Sequence, residues 1–232
     1  ATNILLNRRI SNKNIGAMVV PLMETAISLD STYADAYSYL ALAKIIPTMR
    51  EDYSEEMDII FEESMYLAQK ALSYNPDQEL ALGMSIMMPM AQMQASENFD
   101  AFKVRRIAIQ LDNYISKFPD SPFALTVVAF FHGMKYMLFE DDDDIAIALE
   151  VSLKSHEILK KSIFKIKDPL YLHANSNNFD FIPSIFFMQG KHDEALEFAI
   201  DNKKMICLDG TYECLDANHL NFLEGGFYHS FY

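Results

Sequence analysis

The chain is 232 residues long and half hydrophobic, with 19 Lys and Arg against 33 Asp and Glu and a formal charge of −14. That content supports one or two domains around a buried core and excludes a disordered chain, while the negative field repels phosphate backbones and anionic headgroups and so excludes nucleic acid as a favoured partner. Seven Gly and eight Pro are few, and 14 Met with abundant Leu, Ala, Glu and Lys favour helix over strand, so the expected fold class is all-α.

Apolar residues recur at helical spacing almost throughout, and short polar breaks with cap and turn chemistry divide them. In chain order the breaks fall at Ser31-Thr32, Arg50 to Ser54, Asn75-Pro76-Asp77, Ser96 to Asp100 and Pro119-Asp120-Ser121-Pro122. They continue at Glu140 to Asp144, Asp168-Pro169, Gly190-Lys191 and Asp209-Gly210-Thr211. Together they predict about ten helices, joined by connections that allow only antiparallel neighbours. Pro47, Pro89 and Pro183 fall inside predicted helices and are expected to kink or end them.

Every second break recurs with a period. Ser31 to Pro76 spans 45 residues, Pro76 to Pro119 43, Pro119 to Pro169 50 and Pro169 to Gly210 41. Repeats of this length imply a solenoid, in which each helix pair buries its apolar face by stacking on the next. One array over residues 1–232 is the simplest domain plan. The chain begins Ala1-Thr2-Asn3 with no initiator Met and runs to Phe231-Tyr232, which reads as a piece of a longer chain.

The residues around the breaks resemble tetratricopeptide (TPR) repeats. Ala26 stands as the small residue that closes a helix, Ser31 takes the proline's place five residues on, and Tyr37, Leu40 and Ala41 follow as the large, Leu-like and small positions. Ser64, Ala68, Ala71 and Pro76 repeat the closing half with Leu82 at the next large position. Leu125, Val128 and Ala129 repeat the opening half, and Gly190 to Ala195 looks like the start of a second helix. Small residues at these places let helix backbones approach, and large ones fill the groove between pairs. Departures are Tyr114 in place of a small residue, Lys161 and Phe164 in a poorly matching stretch from Ile145 to Asn178, and repeats of 41 to 50 residues instead of about 34. The opening, with Asn7-Arg8-Arg9 and residues 29–37, also resembles TPR segments attached to bacterial winged-helix regulators and adenylate cyclases, which implies a docking or sensory portion of a signalling protein.

The resemblance implies an antiparallel helix-hairpin array wound into a right-handed superhelix, with a partner held on the concave face by the first helix of each pair. Carried onto this sequence, that face is Asp35, Ser38, Leu42 and Ile45, then Leu80, Gly83, Met87 and Met90, then Phe123, Thr126, Phe130 and Gly133. Such a Met- and Phe-lined surface suits a basic or amphipathic peptide or partner domain. The same residues at helical spacing also read as plain core. The expected function is a protein-interaction scaffold; the alternative is a small-molecule or lipid-binding helical sensor.

Other chemistry has little foothold. Asp141 to Asp144 lacks the alternating ligands, turn glycine and distant Glu of a calcium loop, and reads as a solvated loop charging a helix N-terminus. The histidines at 132, 156, 173, 192, 219 and 229 form no metal-ligand motif, although His156-Glu157 supplies the first half of one. No P-loop, dinucleotide fingerprint or G-x-S-x-G is present, so no cofactor and no catalysis are expected. No apolar run approaches the roughly 20 residues of a membrane span. Cys207 and Cys214, with six residues between them in sequence, read as reduced thiols near a helix–helix turn, with a disulfide geometrically open.

Overall fold

The computed structural model describes residues 12–45, 54–96, 99–162, 178 and 181–201, and every regular element among them is an α-helix. The expectations for Pro47, the breaks at Arg50, Asp168-Pro169 and Asp209-Gly210, the two cysteines, and His173, His219 and His229 lie outside the described residues. The chain divides into two compact units, Ala1–Asp120 and Ser121–Tyr232.

The first unit contains α1 (Asn12–Leu29), α2 (Ala34–Ile45), α3 (Glu55–Tyr74), α4 (Glu79–Ala95) and α5 (Ala101–Lys117). Their boundaries follow local side-chain chemistry. Between α1 and α2, Asp30 accepts hydrogen bonds from the Thr32 amide and hydroxyl at 2.9 and 2.7 Å, which hold its carboxyl below the usual carboxylate range. Asn75 accepts from the Asp77 amide in a turn of the same kind, and Gln78 then caps α4 by accepting from the Ala81 amide at 2.6 Å. Asp100 opens α5 by accepting from the Phe102 amide at 2.9 Å. Pro89 does not end its helix, since α4 continues to Ala95, and α1 likewise runs through Pro21.

Each helix of this unit packs on the next, and α2 also packs on α4. Ala41, Ala43, Ala68, Ala71 and Ala81 are completely buried, so backbones approach with little between them. The approach is close enough for the Ser64 hydroxyl of α3 to donate to the Ala41 carbonyl of α2. Two side-chain amides cross between helices: Gln92 donates to Asp58 at 2.8 Å and Gln78 donates to Asp35 at 3.2 Å.

The second unit contains α6 (Pro122–Phe139), α7 (Asp142–Ser162), α8 (residues 181–188) and α9 (His192–Asp201). Ser121 caps α6 by accepting from the Ala124 amide, with Pro122 in the first turn, where its missing N–H costs nothing. Glu140 closes α6 in the left-handed conformation, at φ 53°. Gly190, at φ 72°, does the same between α8 and α9, where a β-carbon would be strained. α6 packs along α7, and Ile145, Ala148 and Ile185 form a core with Tyr136, Leu149, Phe181 and Met188 around it. Among the described helices, α6 is the one long and apolar enough by length and composition to cross a membrane, but 61% of it is buried inside the protein, as in the central helix of a core.

Candidate functional site

Two kinds of helix alternate. In α2, eight of twelve residues are buried, and in α6 every residue from Pro122 to Ala129 is. α4 buries Leu80, Ala81, Met84, Ile86, Met88, Met90 and Met93, around most of its circumference. In α5, by contrast, the buried residues are Val104, Ile107, Leu111 and Tyr114, a single stripe. Central helices therefore alternate with one-sided ones, and the accessible side chains belong mostly to the latter.

This decides where the twelve expected partner-facing positions lie. Ser38, Leu42, Ile45, Leu80, Gly83, Met90, Phe123, Thr126 and Gly133 are buried. A β-carbon placed on Gly133 would sit 2.6 Å from the Phe181 ring, so this glycine is covered by the protein's own aromatic side chain. Ser38 and Thr126 spend their hydroxyls on carbonyls four residues back, Ala34 and Pro122. Asp35, Met87 and Phe130 are half-exposed. Asp35 and Met87 lie on α2 and α4 of the first unit and Phe130 on α6 of the second.

The densest polar cluster was not anticipated. Asp144, in the first turn of α7, is 3% exposed, and one of its oxygens lies 2.6 Å from His132 Nδ1 and 2.8 Å from Lys135 Nζ. Its other oxygen is buried with no hydrogen-bond partner among the described residues. Asp141, Asp142 and Asp143 are exposed as a solvated loop should be; Asp144 is the exception to that reading. A carboxylate so placed is held by two donors one turn apart on α6 and by the N-terminal dipole of α7, and it fastens those helices together. No group of three His, Cys, Asp or Glu side chains among the described residues could hold a metal ion.

Elsewhere in this unit Asn178 donates to the Ser155 hydroxyl at 2.8 Å, and Ser155 donates to the Pro122 carbonyl at 3.0 Å. His156 is buried with its ring 4.9 Å from that of Phe198, while Glu157 points to solvent, so the half-motif at these two residues is split between interior and surface. In the first unit Tyr114 is buried, and burial pushes its hydroxyl well above the usual range, with Glu79 adding to the shift. No protein-family model, curated protein or solved structure matches the chain.

Proposed function

We propose that this chain is a non-catalytic protein-interaction scaffold, a TPR-like array of helix pairs that holds a peptide or partner domain on the face formed, in its first unit, by the central helices α2 and α4. The observation that carries the reading is the packing of α2, which meets both its own neighbour α3 and the next central helix α4. Stacking of first helix on first helix is what propagates a solenoid, and completely buried alanines on both helices, Ala41 and Ala43 on α2 and Ala81 on α4, are the small residues such stacking needs.

Within the first unit the partner contacts are Asp35 and Met87, the half-exposed members of the inherited face; Phe130 is the corresponding position of the second unit. A flexible thioether on α4 and a carboxylate at the start of α2 suit an amphipathic helix with a basic flank, and the overall charge of −14 draws such a partner in.

The test is site-specific photocrosslinking. A benzophenone side chain at position 87 or 130 is expected to give one discrete protein adduct in an extract of the source cells, and the same group at exposed Ser73 is not. Equal labelling at all three positions, or labelling of lipid or small metabolites alone, overturns the proposal.

A further inference from the structure

The one-sided helices α3 and α5 carry a second surface, independent of the α2 and α4 face. On α3, Ile59 and Tyr66 are 67% and 62% exposed, and exposed Glu62 and Glu63 lie between them. On α5, Phe102 and Ile109 are 82% and 58% exposed, and exposed Arg105 and Arg106 lie between them. Both sets occupy positions i, i+3, i+4 and i+7, so each forms one stripe along its helix: apolar, two like charges, apolar. The spacing is the same and the charges are opposite.

Among the described residues these charges are largely uncommitted: Arg105, Arg106 and Glu62 make no ion pair, and Glu63, paired with Lys44 at 2.8 Å, is half exposed. Four large apolar side chains facing water beside them are what an interface core looks like before it is covered. A net charge of −14 makes copies of this chain repel one another. Association therefore needs a local basic surface, and the pair of arginines on α5 provides one.

We infer that α3 of one copy docks on α5 of a second copy, so that Glu62 and Glu63 meet Arg105 and Arg106 while Ile59 and Tyr66 pack with Phe102 and Ile109. A two-fold axis uses the contact twice, α3 on the partner's α5 and the reverse, and closes the assembly as a dimer. Opposite charges set the register and speed encounter, and the apolar flanks supply the cohesion.

Charge reversal tests this on the intact 232-residue chain by sedimentation equilibrium. The double variant E62R/E63R has two basic faces and R105E/R106E has two acidic ones, at exposed positions and with strong helix formers at each. Wild type is expected to dimerise in about 150 mM salt, where a Debye length of about 8 Å screens the repulsion of the two net charges more than the contacts between paired side chains. Each variant alone is expected to be monomeric with unchanged far-ultraviolet circular dichroism, and an equimolar mixture to recover the dimer, because both α3–α5 contacts are then complementary. A monomeric wild type at about 100 µM, where contacts of even 10 µM Kd would be mostly formed, overturns the inference. So does a dimer that persists in either variant, or a mixture of two folded variants that stays monomeric.

Discussion

Tyr114 lies on the buried stripe of α5, and its hydroxyl is enclosed without a hydrogen-bond partner among the described residues. Its ring is held by packing, 5.4 Å from that of Phe118, and the oxygen contributes only a desolvation cost. Removing the hydroxyl should therefore help: Tyr114→Phe is expected to raise unfolding free energy by about 1–2 kcal/mol, the penalty of an unsatisfied buried polar group less a small packing loss. The pH dependence sharpens this. The folded-state pKa of Tyr114 is raised above 10, so above that pH the unfolded chain releases this proton while the folded chain keeps it. Stability then falls with rising pH by up to about 1.4 kcal/mol per unit until the folded group itself ionises, whereas below pH 10 this group adds no slope. Other tyrosines titrate in the same range, so the quantity to follow is the difference between wild type and Tyr114→Phe in urea melts at pH 8, 10 and 11. The difference should favour the phenylalanine at all three and widen at the last. A loss of more than about 1 kcal/mol in Tyr114→Phe at pH 8 would show that the hydroxyl is bonded, and a flat difference up to pH 11 that it is solvated.

Three further outcomes rest on equally local geometry. Asp144→Ala leaves Lys135 and His132 without their common acceptor; because both keep some access to water, the cost is expected near 2–3 kcal/mol in urea melts, below that of a fully enclosed broken pair. Ala68→Leu adds three carbons to a completely buried position and should cost about 1–3 kcal/mol in the same assay, while Gln69→Leu, one residue on and exposed, should change stability by less than ~0.5 kcal/mol. Gly133→Val drives a branched side chain into the Phe181 ring and is expected to lower stability by about 1–3 kcal/mol, with part of the loss recovered when Phe181→Ala is added.

Helix boundaries were legible because caps are local. Asn75, Asp100 and Ser121, which lie in the breaks read from the sequence, act on amides two or three residues away, so their identity marks an end; Gln78, which caps α4 just past one of those breaks, is not a residue type that marks one. The proline rule carried less far: an interior proline at Pro89 or Pro21 removes one backbone donor, and packing over the rest of the helix carries the chain past it. The contrast between central and one-sided helices went unread in the sequence although its composition carries it, since α4 and α6 are apolar nearly all round while α5 shows one stripe. That contrast bears directly on the inherited partner face. A helix flanked by neighbours presents few side chains to a ligand, which is why Leu42, Ile45 and Leu80 are buried while Asp35 and Met87 stay half-exposed.

Asp144 shows what composition hides and register reveals. Four consecutive aspartates look alike as a charge run, but α7 buries Asp144, Ile145, Ala148, Ser152, Ser155, His156 and Leu159, spaced as one helical face. Extending that stripe backwards from Ala148 by one turn lands on Asp144 and not on Asp142 or Asp143, so its burial follows from period alone. Spacing alone does not give its partners: His132 and Lys135 are a turn apart on α6, and only the packing of α6 along α7 brings them to one oxygen. The same logic picks out Ile59 to Tyr66 and Phe102 to Ile109 on the opposite, outward faces. A helical stripe assigns every residue to inside or outside, and a charge found inside or a large apolar residue found outside needs a partner; for Asp144 that partner lies within the fold.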